Sequence, residues 1–123
     1  MKSLKFTYLK ELLLDGSKTT TIRCLFIPNF GEDEIIAIKF QDEVLFPAEV
    51  VSVVPKRLSE ITDEDAIKDG FKNREEAMKK IMALNKIKDK QRFCFIITFM
   101  RVDMRDLKGS LDHFFIEKYK NKG

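Results

Sequence analysis

The stretch DGSKTTTIRCLF, Asp15 to Phe26, sets a helix stop, a lysine, three threonines and an arginine directly before an apolar run. Threonine and isoleucine carry two heavy atoms on Cβ, which disfavours helix and favours a pleated strand. Side chains alternate along a strand, so Ile22, Cys24 and Phe26 share one face while Thr19, Thr21 and Arg23 share the other. The first face reads as core. The second presents hydroxyls beside a guanidinium.

The flanks extend this reading. Upstream, Leu4 to Phe6 is a short strand. Tyr8, Leu9, Leu12 and Leu13 then recur at helical spacing, with Thr7 as the expected N-cap and Gly16 as the left-handed stop. Downstream, IPNFGED is a loop. Glu34–Phe40 and Val44–Val54 are strands forming a hairpin, with Pro47 marking an edge or a bulge. Thr62 caps a short helix whose first turn holds Asp63, Glu64 and Asp65, and Gly70 ends it. Asn73 caps a second helix, with Glu76 as its capping-box partner and an apolar stripe at Ala77, Met78, Ile81, Met82 and Leu84. Arg92 to Val102, RFCFIITFMRV, is apolar on both faces and reads as a central strand covered on both sides, with Phe93, Phe95 and Phe99 in the core. From Ser110, the spacing of Leu111, Phe114, Phe115 and Tyr119 predicts a C-terminal helix.

Neither a parallel doubly wound sheet nor a helical bundle accommodates this order. The expected class is α+β: a small mixed β-barrel with helices capping it, plus the C-terminal helix. A chain of 123 residues fits one compact domain. The division expected is a domain over residues 1–103 and a helical extension over 104–123.

Composition narrows the chemistry. One histidine, His113, leaves no basis for a zinc centre or a serine–histidine triad. Cys24 and Cys94 lie 70 positions apart, with neither metal-ligand spacing nor a disulfide framework, and each reads as a small hydrophobe in a strand. Nothing implies a metal or an organic cofactor. The amino terminus lacks a signal-peptide pattern, and no stretch reaches membrane-spanning length, so the expectation is a soluble, cytoplasmic protein without membrane contact. The net charge of +3 is uneven: residues 86–123 carry +5 and the remainder −2. A basic end permits a polyanionic partner, and an ordinary solvated face accounts for any single lysine.

The polar residues around the first strand suggest a site. Thr21 is a weak nucleophile unless a base takes its proton. Lys18 serves as that base only if burial or a nearby cation such as Arg23 lowers its pKa. Asp69 closes a short helix, where the dipole disfavours an anion, so it needs a cationic partner, and Lys18 is a candidate. Beside this stand plainer accounts: β propensity for Thr21, a surface ion pair for Arg23, a turn for Asp69 and a core rim for Tyr8.

GSKTTTIR (Gly16–Arg23) resembles the G-x-K-x-x-T-x-R signature of ASCH domains, the activating-signal-cointegrator homology family. ITDEDAIKDGF (Ile61–Phe71) resembles the family's second block, and FCFIITFMRV its closing strand. The resemblance runs from Leu4 to Val102. It implies a PUA-like barrel that binds RNA or nucleotides in a cleft beside the first motif. Some small bacterial members hydrolyse N4-acetylcytidine. By motif position the resemblance carries their catalytic lysine, threonine and acid onto Lys18, Thr21 and Asp69, the last standing where those enzymes have glutamate. Gly16, Arg23 and Tyr8 are the expected substrate-binding residues.

Three functions follow as expectations. One is an RNA- or nucleotide-binding domain with a polar cleft at Lys18, Thr21, Arg23 and Asp69. Another is an amidohydrolase deacylating N4-acetylcytidine-type nucleosides. The last is a protein-interaction module, or homodimer, using the C-terminal helix. The first two require Lys18 and Asp69 to line a common pocket.

Overall fold

The computed structural model describes residues 1–103. The expected C-terminal helix and its proposed dimer contact lie outside the described residues. Along the chain run β1 (Ser3–Phe6), α1 (Lys10–Leu14), β2 (Thr20–Cys24), β3 (Ile35–Phe40), β4 (Glu43–Arg57), a 3₁₀ turn (Leu58–Glu60), α2 (Asp63–Lys68), α3 (Arg74–Asn85) and β5 (Phe93–Arg101). The five strands form one mixed sheet in the order β1-β3-β4-β5-β2. Only the β1–β3 pair is parallel. The sheet curls into a half-barrel with few helices, so the architecture is the expected α+β one. The register of β4 shifts after Val50 and that of β3 after Ile38; such bulges increase local bend and twist.

The β3–β4 hairpin forms as read, closed through Gln41 in the left-handed region at φ 52°. β5 lies between β4 and β2 and is covered on both faces. Cys94 and Ile96 join one core cluster with Ile22, Cys24 and residues of α2 and α3. Ile97 and Phe99 join the other, with Leu4, Phe6, Leu13, Ile36, Ile38 and Phe46. One strand thus contributes to two cores through its alternating side chains.

Five expectations change. Thr7 does not cap α1: the helix starts at Lys10 after Leu9 in the left-handed region (φ 63°), with no side-chain cap. Tyr8 packs against one core cluster and Leu13 belongs to the other, so the chain turns between them before the helix begins. Pro47 is neither at a sheet edge nor at a bulge. It is buried inside β4, opposite Ala37 of β3. Its carbonyl accepts from Val102 N just past the end of β5, so the missing N–H costs only the last rung of that ladder. Glu76 reaches back to Lys72 N at 3.3 Å, while Asn73 Oδ1 accepts from Glu76 N at 2.9 Å, so the cap holds but the box closes one residue early. Phe93, at 57% exposure, is outside the core and lies under the Arg57 guanidinium, 5.0 Å from the ring centroid. β2 also ends at Cys24, because Leu25 turns left-handed at φ 55°.

Helix α2 carries the cap expected of it: Thr62 Oγ1 accepts from Asp65 N, and Asp65 Oδ2 accepts from Thr62 N. Its exit at Gly70 needs φ +99°, and a Cβ there would stand 3.0 Å from Leu12 and 3.1 Å from Leu9 side-chain carbons. Gly16 has φ +84° but open space around it. Gly70→Ala should therefore lower unfolding stability by about 1–3 kcal/mol, and by more than Gly16→Ala, in urea denaturation. An equal loss at both positions would contradict the packing at Gly70.

Candidate functional site

β2 and β1 are the two edges of the sheet, and no backbone ladder joins them. Side chains bridge that seam. Arg23, from β2, donates from Nη2 to the Lys5 carbonyl of β1 at 2.7 Å and from Nε to Thr21 Oγ1 at 2.8 Å. Its guanidinium lies 4.7 Å from the Phe6 ring centroid and 5.8 Å from that of Phe26. Three of the five guanidinium N–H donors remain without a partner among the described residues. The arrangement follows from the strand alternation: Thr21 and Arg23 face the seam, while Ile22 and Cys24 enter the α2–α3 core.

Behind the seam lies a buried ion pair. Lys18 and Asp69, 51 positions apart, are only 2% and 1% exposed. Lys18 Nζ donates to Asp69 Oδ1 and, at 2.7 Å, to the Asp69 carbonyl. Asp69 Oδ2 accepts from Ile22 N at 3.1 Å. The Lys68 carbonyl accepts from Thr19 N at 3.2 Å. The exit of α2 is therefore laced to the start of β2 by four hydrogen bonds. The Lys18 ammonium also stands over the rings of Phe6 (5.3 Å) and Tyr8 (5.8 Å). Burial, and then repulsion from the Arg23 guanidinium, pull Lys18 down to about 7. The bonded carboxylate favours the charged amine and acts in the opposite direction. Burial likewise lowers Arg23 and raises the Tyr8 phenol.

A cavity of about 330 Å³ opens at the seam. Its wall includes Phe6, Thr7 and Tyr8 on one side, Thr21 to Phe26 on another, and Ile81, Leu84 and Asn85 from α3. Tyr8 is half-buried there, and Lys80 covers its ring at 5.0 Å. Of the six residues expected in the site, Thr21, Arg23 and Tyr8 line the cavity. Lys18 and Asp69 pair with each other, but neither lines the cavity as expected: both are buried behind its wall. Gly16 occupies an exposed turn and does not reach it. Thr21 is itself buried rather than displayed on an outer face, because the barrel interior covers it.

Sequence reasoning missed Phe6, Phe26 and Asn85. Phe6 carried a signal, an aromatic two residues before Tyr8 in an edge strand. Asn85 carried none, since its place depends on how α3 crosses the seam.

Fold and site together define an α+β domain built on a curled five-stranded half-barrel, with a cavity where the half-barrel fails to close. The family model for the ASCH domain matches residues 4–103. The chain belongs to the ASCH domain family. Its fold is similar to that of an ASCH domain from Lactobacillus crispatus JV V101, at 11% identity, TM-score 0.60, covering 81% of this chain and 79% of that one. A crystallised protein from Enterococcus faecalis V583 is similar at 13% identity and TM-score 0.59, over 84% and 82% of the two chains. No curated protein matches. Among the described residues no helix is long and apolar enough to cross a membrane.

Removing one partner of a buried ion pair strands the other charge. Asp69→Ala should cost about 3–5 kcal/mol of stability. The double variant Lys18→Met/Asp69→Leu should recover part of that loss, because it removes both charges together. Chemical denaturation of the two variants checks this, and a double variant no more stable than the single one would refute it.

Proposed function

We propose that the protein binds a nucleoside or nucleotide, free or within RNA, in the seam cavity. The observation that carries this reading is the lining: a guanidinium with donors to spare, a hydroxyl held in place by it, a tyrosine face and an apolar wall, all in one cavity of about 330 Å³. Small-molecule sites commonly have this make-up, mostly apolar with a few fixed polar groups, at about 300–1,000 Å³. A planar base with polar edges suits it: the rings and Leu84 offer stacking surface, and Arg23, Thr21 and Asn85 offer hydrogen bonds.

The surroundings favour a ligand carrying phosphates. The loop of residues 86–92 leaves α3 at Asn85, which lines the cavity, and enters β5 beside Cys94, the register partner of the lining residue Cys24. Lys86, Lys88, Lys90 and Arg92 of this loop are exposed and make no ion pair among the described residues. Single-stranded RNA should therefore bind with an affinity that falls steeply as salt rises. Arg23→Ala should weaken that binding about 10–100-fold, through loss of charge-assisted hydrogen bonds worth about 1.5–3 kcal/mol. Charge reversal at Lys88 and Lys90 should weaken RNA binding while leaving a free nucleoside unaffected. Fluorescence anisotropy with labelled single-stranded RNA tests all three, and calorimetric titration with a nucleoside checks that its binding is unchanged. No binding of RNA, and none of a free nucleoside or nucleotide, even at low salt, would end this reading.

A second reading rests on Thr21 and Lys18. The Thr21 oxygen accepts from a guanidinium, and burial with that same guanidinium pulls the Lys18 amine down to about 7. In an N4-acylcytidine hydrolase, Thr21 Oγ would attack the acyl carbonyl and Lys18 would take its proton. The C–N4 bond would then break as that proton passes to the departing cytidine amine, and water would hydrolyse the acyl-threonine to release the acid and restore Thr21. Asp69, bonded to the lysine, would orient it. The base acts when deprotonated, so acid release from N4-acetylcytidine should rise with pH through about 7 and level off above it. Thr21→Ala should abolish it. Unchanged N4-acetylcytidine after prolonged incubation would leave the binding reading alone.

A further inference from the structure

Cys24 and Cys94 face each other across the antiparallel β2–β5 ladder. Both are free thiols in the same core cluster, 6% and 1% exposed. Directly opposed residues of antiparallel strands hold their Cα atoms about 4.5–5.5 Å apart. A disulfide spans about 4.4–6.8 Å between Cα atoms, so the backbone register already suits one. No side chain intervenes between direct register partners.

The two thiols are not equivalent. Cys24 lines the seam cavity and Cys94 does not. Cys24 is also the less enclosed of the two, at 6% against 1% exposure. A hydrogen bond from Cys94 lowers the Cys24 thiol; burial opposes this, and the nearby Arg92 guanidinium reinforces it. The Cys94 thiol is pushed up by its bond to Cys24 and by burial, and it also lies 3.3 Å from the Lys56 carbonyl, a second acceptor for its proton. The pair thus has one sulfur next to the cavity wall that ionises first and one more deeply enclosed sulfur opposite it.

We propose that Cys24 and Cys94 form a dithiol that hydroperoxides oxidise to an intrachain disulfide, with Cys24 as the attacking sulfur and Cys94 as the resolving one. The Cys24 thiolate attacks the peroxide oxygen. The O–O bond breaks, giving Cys24 sulfenic acid and an alkoxide or hydroxide that picks up a proton. Cys94 sulfur then attacks the sulfenic sulfur and displaces hydroxide, which leaves as water with the Cys94 proton. Overall, two thiols and one hydroperoxide give one disulfide, one alcohol (water, for hydrogen peroxide) and one water, with the O–O bond reduced by two electrons. The product pins the last residue of β2 to β5, next to Arg23 and in the wall of the cavity. The proposal stands independently of what the cavity binds, because it uses only the register and the place of Cys24 in the cavity wall.

The test treats the full native chain with hydrogen peroxide, then alkylates it under denaturing conditions and measures intact mass and peptides. The expected result is loss of both alkylatable thiols, a mass two hydrogens lower, a linked Cys24–Cys94 peptide from a monomeric chain, and full reversal by dithiothreitol. Cys94→Ser should stop at a Cys24 sulfenic acid trapped by dimedone. Cys24→Ser should leave Cys94 reduced at the same exposure. The proposal is overturned if both thiols survive exposure that oxidises an unstructured cysteine peptide. It is equally overturned if Cys24 runs on to sulfinic acid while Cys94 stays free, or if the disulfide links two chains. The wild-type peptide map decides the matter even if either serine variant fails to fold.

Discussion

The buried contact between the Lys18 ammonium and the Asp69 carboxylate organises the rest of this domain. Both groups have left water, at a cost that only close pairing and further hydrogen bonds offset. Those bonds are present: the carboxylate also takes the Ile22 amide, and the ammonium also takes the Asp69 carbonyl. The geometry requires α2 to end where β2 begins, with Gly70 turning left-handed immediately afterwards. An acid at a helix C-terminus is disfavoured by the helix dipole. Here the lysine supplies the countercharge, so the unfavourable position becomes an anchor between two segments distant in sequence.

That anchor fixes β2 as an edge strand, and the site follows from the edge. Four ladders join the five strands, and the fifth junction, between β2 and β1, is made by side chains. Arg23 spans it with one bond to a hydroxyl on its own strand and one to a carbonyl on the other. A closed barrel would have filled this gap with backbone hydrogen bonds. An open seam leaves room for a cavity whose polar groups are held rigidly by neighbouring strands. Rigid placement is what a recognition site needs, since groups already fixed lose little entropy on binding. The ion pair stands one layer deeper, where its influence on the cavity passes through Ile22, Thr21 and the electrostatic effect of two neighbouring cations on each other.

Much of this organisation was readable in the residues. The strand character of KTTTIRC, the Thr62 cap, the left-handed exits at Gly16 and Gly70, the hairpin and the double coverage of β5 each follow from local stereochemistry or period-two patterning. The pairing of Lys18 with Asp69 was also approachable, because an acid closing a helix needs a cation. The errors share one cause. Thr7 has good capping chemistry, but Tyr8 and Leu13 must enter different cores, and that moved the helix start. Pro47 suggested an edge, but the end of β5 alongside it made a central position tolerable. Phe93 continued an apolar run, but it falls at the first residue of β5, beyond the reach of either core, and was left to Arg57.

The sequence by itself determined which segments are helix and strand, which faces are apolar, and which polar residues needed partners, because these depend on side-chain shape and on spacing within a few residues. Tertiary structure alone decided that Lys18 and Asp69 lie behind the cavity and not in its wall, that Arg23 bridges the two sheet edges, and that Phe6 and Asn85 belong to the site. Those outcomes depend on the order in which strands pair and on where the curled sheet fails to meet itself. No local pattern encodes that order, since a strand's alternation specifies its two faces and not its neighbours.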